Sequence, residues 1–268
     1  MSTAAIADYL LASRELLSFR GRVAIVSGAA AGIGQATAVG LAARGAAVML
    51  ADIDGEGLQH TAREIEAAGG RVAIVTGDVT EEEVAAEIAE RTRATFGAPD
   101  ILVNNVGGAI AGHTWEFSLE DWNKVLRRNL QSCFLCSRAV IPHMLARGYG
   151  RIVCVSSGAS QGTPWTAYYK GAAAYAASKS GVEGFVRHLA LELAQSGITV
   201  NAVAPGPIET ERLKGTFAKM ADLEYGPVRM TPLRRLGRPW EVAATILFAS
   251  SEEAGYITGQ TISVAGGR

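Results

Sequence analysis

The chain has 268 residues, 49% of them hydrophobic and 19% charged, and its 25 basic and 26 acidic side chains give a formal charge of -1. That length buries a full core, the charge balance speaks against nucleic acid as a partner, and the hydrophobic content excludes a mostly disordered chain. The three cysteines, Cys133, Cys136 and Cys154, make no disulfide framework and fit a reducing compartment.

In chain order, residues 1–20 have the spacing of an amphipathic helix, and Asp8, Arg14 and Glu15 break the apolar run that a secretory leader needs. No apolar run reaches the length of a membrane span. The expectation is a cytoplasmic protein with no membrane partner: a short N-terminal extension ahead of a single domain over residues 21–268. A β-branched run at 23–27 (VAIVS) stops at Gly28, and GIGQATAVGLAARG repeats apolar residues at helical spacing as far as Gly45. AVMLA at 47–51 forms a second strand ending at Asp52. A helix over 56–68, a strand at 72–76, a helix in EEEVAAEIAERTRATFG and a strand ILVNN at 101–105 follow. Residues 119–147 form one long helical stretch that Pro142 is expected to bend or break. RIVCVSS at 151–157 is a buried strand, residues 174–195 a long helix, and ITVNAVAPG supplies a strand at 198–203. Weak periodicity, charge and three prolines mark residues 207–238 as a substrate flap. PWEVAATILFAS is a helix with proline in its first turn, and QTISVAGG is a seventh strand. This alternation predicts an α/β fold: a doubly wound, mostly parallel seven-stranded sheet flanked by helices.

The turn after the first strand reads Ser27-Gly28-Ala29-Ala30-Ala31-Gly32-Ile33-Gly34. Between a strand and a helix, glycines permit a tight turn and close approach of a diphosphate, while the first helical N–H groups lack intrahelical partners. The spacing departs from GxGxxG, and a glycine-rich turn taken alone is also ordinary loop chemistry. Asp52 adds weight. At the end of the second strand, 18 residues after Gly34, a carboxylate accepts hydrogen bonds from an adenosine ribose and repels a ribose 2'-phosphate. No arginine or lysine occurs within residues 27–34 to offset it, so NAD is the expected cofactor rather than NADP.

Together with Asp78-Val79, NNVG at 104–107, Asn129, the Ser157/Tyr175/Lys179 set and PGPIET at 205–210, these residues make the chain over 20–267 resemble the short-chain dehydrogenase/reductase family. The family fold is of the Rossmann type. The resemblance implies that Ser27, Gly28, Gly32, Ile33 and Gly34 form the cofactor turn, with Asp52 and Ile53 beside the adenosine. It places Asp78 and Val79 around the adenine, and Asn105, Val106 and Gly107 in the loop beside the cofactor. Pro205, Gly206, Ile208 and Thr210 fall near the nicotinamide amide, and Asn104 is expected to support its strand.

Tyr175 and Lys179 stand four residues apart, on one helix face. A phenol is a poor base near neutrality; an ammonium nearby, with the positive ring of an oxidised nicotinamide, favours its anion. Tyr175 then removes the hydroxyl proton in alcohol oxidation and returns it in ketone reduction. Ser157 donates a hydrogen bond to the reacting oxygen. By the resemblance, Lys179 also binds the nicotinamide ribose, and Asn129 supports Lys179 through a water-containing relay. Singly, such residues are commonplace: a surface Tyr–Lys pair, a strand-end serine, a helix-capping asparagine. Tyr168 and Tyr169 compete with Tyr175 but lack a lysine four residues on, and Ser156 is the alternative to Ser157. No metal is expected, because His113 and His143 make no compact set with Cys133 and Cys136.

Ser157 and Tyr175 are 18 positions apart, wider than the usual family spacing, so GASQGTPWTAYYKGAAA carries an expansion beside the cleft. Its Trp165, Tyr168 and Tyr169 offer an aromatic wall that, with Ser157 and Tyr175, would take a small alcohol or ketone of cyclic or aromatic kind. The same residues would equally shape the loop or a subunit contact. A 3-oxoacyl-thioester reductase is the competing activity, although Pro142 and Leu191 stand where acyl-carrier reductases present arginines. A non-catalytic NAD-binding sensor or structural protein is a third reading, against which the Tyr175–Lys179 pair argues. The resemblance further implies a homotetramer or homodimer built on the helices around 119–147 and 174–195.

Overall fold

Runs of Val, Ile and Ala form seven strands: β1 (Val23–Ser27), β2 (Ala47–Asp52), β3 (Arg71–Thr76), β4 (Ile101–Asn104), β5 (Gly150–Val155), β6 (Ile198–Pro205) and β7 (Thr261–Val264). The computed structural model describes residues 17–220 and 222–268; most of the expected N-terminal extension, residues 1–16, lies outside them. All the strands pair in parallel, in the order β3-β2-β1-β4-β5-β6-β7. β1, β4, β5 and β6 are buried at every residue, which is why their sequences run apolar instead of alternating, and why both faces of the sheet carry helices.

One face is covered by α1 (Gly32–Ala42), α2 (Gly55–Ala67) and, from the far end of the chain, a helix over Pro239–Ala249. Leu41, Leu58, Ile65, Ile246 and Leu247 pack there against Val26, Val48 and Val103. The other face takes α3 (Glu82–Phe96) and two long helices, Ser132–Arg147 and Ala173–Leu193. Ile88, Leu135, Met144, Val182 and Val186 meet Ile25, Leu102 and Ile152 on that side. The remaining helices complete the numbering: α4 (Leu119–Leu126), α5 (Ser132–Arg147), α6 (Pro164–Lys170), α7 (Ala173–Leu193), α8 (Glu211–Lys219), α9 (Pro227–Met230) and α10 (Pro239–Ala249). Among the described residues no helix is long and apolar enough to cross a membrane.

The long helical stretch over 119–147 is not broken at Pro142 and is irregular at an earlier point. Pro142 does not end it: α5 runs through the proline to Arg147 and stops at Gly148, whose φ is +63°. Pro142 lies on the exposed side, as does Arg138 four residues earlier, so water can take the carbonyl that the missing N–H leaves unpaired. The irregular part is a π-helical turn at Arg127–Gln131, between α4 and α5. The expanded segment also folds, as a 3-10 turn at Gly158–Gln161 followed by α6. The 207–238 excursion closes at its base, where Ile208 bridges to Gly237 and the Glu209 N–H donates to the Gly237 carbonyl (2.8 Å).

At the edge where the strands begin, Asp100 is wholly buried; it accepts a hydrogen bond from the Val23 N–H (2.9 Å) and pairs with Arg22 (3.3 Å) and Arg147 (3.2 Å). Its carbonyl accepts from the Arg151 N–H (2.9 Å), so one residue sets the starting level of β1, β4 and β5. Their far ends consequently finish side by side, at the edge where the cleft lies. Removing the acid leaves the buried Val23 N–H without its acceptor, whereas Arg22 keeps Glu252 and Arg147 is 41% exposed. Asp100→Ala is expected to lower unfolding stability by about 2 kcal/mol in urea titrations. A midpoint equal to wild type would show that these ties are dispensable.

Candidate active site

The sheet order reverses between β1 and β4, and in a parallel sheet the crevice at the carboxyl ends of such strands is where ligands bind. A continuous cleft of about 2080 Å³ opens there, lined by the glycine turn, Asp52, Asp78, the loop after β4, Ser157, Tyr175, Lys179 and the start of the flap.

The turn leaves no room for side chains. Gly28 has a φ of +67°. A β-carbon on Gly34 would clash with the Gly28 carbonyl oxygen and fall 2.6 Å from Asn105 Nδ2. Asn105 holds the turn, donating from Nδ2 to the carbonyls of Ser27 (3.2 Å) and Gly28 (3.0 Å). The Ser27 hydroxyl is spent inside the protein: it donates to the Val103 carbonyl (3.3 Å) and accepts the Asn105 N–H (3.1 Å). α1 starts at Ala31 with no side-chain cap and no acid in its first turn, so its free N–H groups suit an anion.

Asp52 ends β2 with Oδ2 accepting from the Ala30 N–H (3.2 Å) and Oδ1 from the Asp54 N–H (3.1 Å). No arginine or lysine pairs with it among the described residues, and Ile53 beside it is 70% exposed. Asp78 caps the Thr80 N–H (2.9 Å) while Val79 is buried. Pro205, Gly206 and Ile208 also line the cleft, and the Thr210 methyl stands over the glycine turn, 3.3 Å from where a Gly32 β-carbon would be. These shapes and donors fit a dinucleotide laid along the cleft.

Asn129 sits in the π turn, which carries its side chain inward to full burial. Its Nδ2 donates to the carbonyls of Gly108 (2.9 Å) and Val125 (2.8 Å), and its Oδ1 accepts the Gly108 N–H (3.0 Å). A β-carbon on Gly107 would lie 2.8 Å from Asn129 Oδ1 and 3.0 Å from Lys179 Nζ. The bare backbone at Gly107 is therefore what lets Asn129 and Lys179 converge. Lys179 is only 2% exposed; Nζ donates to the Val155 carbonyl (2.6 Å) and lies 5.8 Å from the centre of the Tyr175 ring. No carboxylate pairs with it among the described residues. The Tyr175 hydroxyl likewise has no partner there.

The Ser156 hydroxyl donates to Glu183 Oε1 (2.7 Å), which also receives the Ser160 hydroxyl (2.7 Å). Ser156 is thus a tether between β5 and α7. Ser157 faces the cleft, its Oγ accepting the Ala159 N–H (3.2 Å) and its own O–H left to donate. Glu183 was not anticipated, although its signal was present: 175, 179 and 183 form one helical stripe. Asn104 supports its strand as expected, donating to Ser137 Oγ (3.1 Å) and Cys154 Sγ (3.4 Å). The cysteines are buried and free. Hydrogen bonding to Cys133 and burial push the Cys154 thiol up, and burial pushes Cys136 up to about 12.

The aromatic wall divides. Trp165 lines the cleft, edge-on to Phe217 of α8 (5.8 Å, 71°), with its buried indole N–H unpartnered among the described residues. Tyr168 and Tyr169 do not line it. Their partner is Tyr225 of the flap: Tyr168 packs on its ring (4.9 Å) and the Tyr169 hydroxyl accepts its N–H (3.2 Å).

Gly34→Ala forces the Gly28 carbonyl out of place, and overpacking of this kind costs enough to be read in affinity. The variant is expected to bind NADH about tenfold more weakly or worse by calorimetry; unchanged affinity would remove the turn from the binding surface.

A family described as enoyl-(acyl carrier protein) reductase matches residues 28–268. The chain is 38% identical to (2S)-[(R)-hydroxy(phenyl)methyl]succinyl-CoA dehydrogenase subunit BbsD of Thauera aromatica, over 94% of this chain and 98% of that one. It is 40% identical to 3-oxoacyl-[acyl-carrier-protein] reductase FabG of Escherichia coli (strain K12), with the same coverage. Its fold is similar to a short-chain type dehydrogenase/reductase from Mycobacterium marinum, with a TM-score of 0.88 and 30% identity over 94% of this chain and 97% of that one. With the parallel sheet, the glycine turn and the Tyr175–Lys179 face already in place, the chain belongs to the short-chain dehydrogenase/reductase family of NAD(P)-dependent oxidoreductases.

Proposed function

We propose that the protein interconverts a ring-bearing secondary alcohol and its ketone with NAD(H), using Tyr175 as general acid and base. One observation carries this reading: Tyr175, Ser157 and the buried Lys179 line the same cleft, and among the described residues neither the Tyr175 hydroxyl nor the Ser157 O–H donates to a protein group. When bound, the oxidised nicotinamide supplies a hydride acceptor. In oxidation Tyr175 takes the alcohol O–H proton as the carbinol C–H pair leaves as hydride; in reduction the phenol gives the proton back. Ser157 donates to the oxygen on which charge develops. Lys179 keeps a positive charge behind the phenol ring and is placed to meet ribose hydroxyls. Asn129 acts on the loop: by holding both backbone groups of Gly108 it keeps Gly107 against Lys179.

Asp52 supports NAD over NADP, since among the described residues no lysine or arginine pairs with its carboxylate to accept a 2'-phosphate. Trp165 and Phe217 support a substrate ring, as does the phenyl group in the name of the Thauera aromatica relative. Both relatives act, by their names, on acyl thioesters, which favours thioester reduction as a second reading. Residues 207–238 serve as the substrate flap. Exposed Phe134 and Leu191, on α5 and α7, support a homotetramer or homodimer, and the free buried cysteines a cytoplasmic setting.

Tyr175→Phe is expected to lower kcat by about a thousandfold while NADH affinity stays within about twofold; near-normal turnover would sink the proton role. Asp52→Ala should weaken NAD about tenfold and narrow its margin over NADP, and a wild-type preference for NADP would overturn that assignment. Following NADH with a free aromatic ketone and its thioester counterpart separates the two activities. Trp165→Ala is expected to raise KM for ring-bearing substrates by about tenfold with little change for a small acyclic ketone; equal effects on both would free Trp165 from substrate contact.

A further inference from the structure

Two arginines without a role in the chemistry above meet at one point of the cleft. Arg128 belongs to the π turn and Arg212 to the first turn of α8. Their Nη1 atoms lie 3.3 and 3.5 Å from the position that a β-carbon would take on Gly108. Neither side chain has an ion pair or hydrogen bond among the described residues. The neighbouring cations do: Arg127 pairs with Glu81 (2.8 Å), Lys124 with Glu120 (2.7 Å) and Lys214 with Glu211 (3.8 Å). Two guanidiniums brought from separate elements to one place repel each other unless an anion lies between them.

Their position along the cleft says which anion. Gly108 follows Gly107, which abuts Lys179 at the Tyr175 end. Arg212 starts two residues after Thr210, whose methyl stands over Gly32 of the glycine turn. Arg212 thus reaches from the segment over that turn to the loop after β4, between the glycine turn and the Lys179 end of the cleft. The middle of a dinucleotide is its diphosphate, and the uncapped N-terminus of α1 faces it from below. We propose that Arg128 and Arg212 clamp the cofactor diphosphate from the solvent side. This rests on the reading that the cleft takes a nicotinamide dinucleotide.

The test is calorimetric binding of NADH and ADP-ribose to wild type, Arg128→Gln, Arg212→Gln and, as a charge control on the same helix, Lys219→Gln. Both arginines are exposed, and matching melting curves establish that the variants fold. Each arginine variant is expected to weaken both ligands about tenfold, with Lys219→Gln unchanged. Wild-type affinity should fall with added salt more steeply than that of the variants. If wild type binds neither ligand, the dinucleotide reading itself fails. If wild type binds both and the arginine variants match it within about twofold, the clamp is wrong. A rise in KM confined to a carboxylate-bearing substrate, with ADP-ribose binding unchanged, would overturn it too and assign the arginines to substrate.

Discussion

An amine buried to 2% exposure, donating to one carbonyl and, among the described residues, paired with no carboxylate, is the constraint around which the site is built. A buried charge without a counter-ion is costly, so every element near Lys179 is arranged to leave it uncrowded and correctly aimed. Gly107 gives up its side chain to let the ammonium approach the loop after β4. The π turn adds a residue between α4 and α5, which turns Asn129 inward to fix that loop through both backbone groups of Gly108. Glu183, one turn beyond Lys179 on α7, ties Ser156 and Ser160 to the same helix. The segment bearing Ser157 is therefore registered to the helix bearing Tyr175.

That arrangement needs the strand ends to be level, and the opposite edge of the sheet provides this. Asp100 binds the start of β1 through the Val23 N–H and the start of β5 through its own carbonyl. Arg151, itself buried, continues the network to Glu252 and stacks on Tyr149 with Arg22 on the ring as well. Burial of these charges is tolerable because each is paired and hydrogen-bonded. Stability is concentrated at one edge of the sheet and open polar valence at the other.

Much of this was legible in the sequence. The strands announced themselves because burial on both faces enforces unbroken apolar runs, and the glycine turn because steric exclusion at Gly28 and Gly34 admits nothing else. Tyr175 and Lys179 share a face by helical periodicity alone. What was not legible depends on distant partners. Pro142 carries a strong local signal, but at its exposed position water can take the carbonyl left unpaired, and the helix continues through it. The π turn has no local signature in Arg127-Arg128-Asn129-Leu130-Gln131, since its cause is the loop that Asn129 reaches. Tyr168 and Tyr169 read as a cleft wall by nearness to Tyr175, yet Tyr225, 56 residues beyond Tyr169, draws them to the flap. The meeting of Arg128 and Arg212 at Gly108 is likewise a product of tertiary structure.

The expansion between Ser157 and Tyr175 changes how the flap must be regarded. α6 is not merely beside the cleft: it is joined to the flap by Trp165 against Phe217, by Tyr168 against Tyr225 and by the Tyr169 hydroxyl. Its own end is clasped by the loop after β4, where the Gly112 N–H donates to the Lys170 carbonyl (2.8 Å) and Gly171 has no room for a side chain against Gly112 and His113. Three segments that border the cleft from different strands are thus linked through one short helix. The ring contact of Trp165 with Phe217 extends this frame through α8 to the segment that carries Thr210 over the glycine turn, so the position of α8 is fixed from both the expanded segment and the cofactor turn.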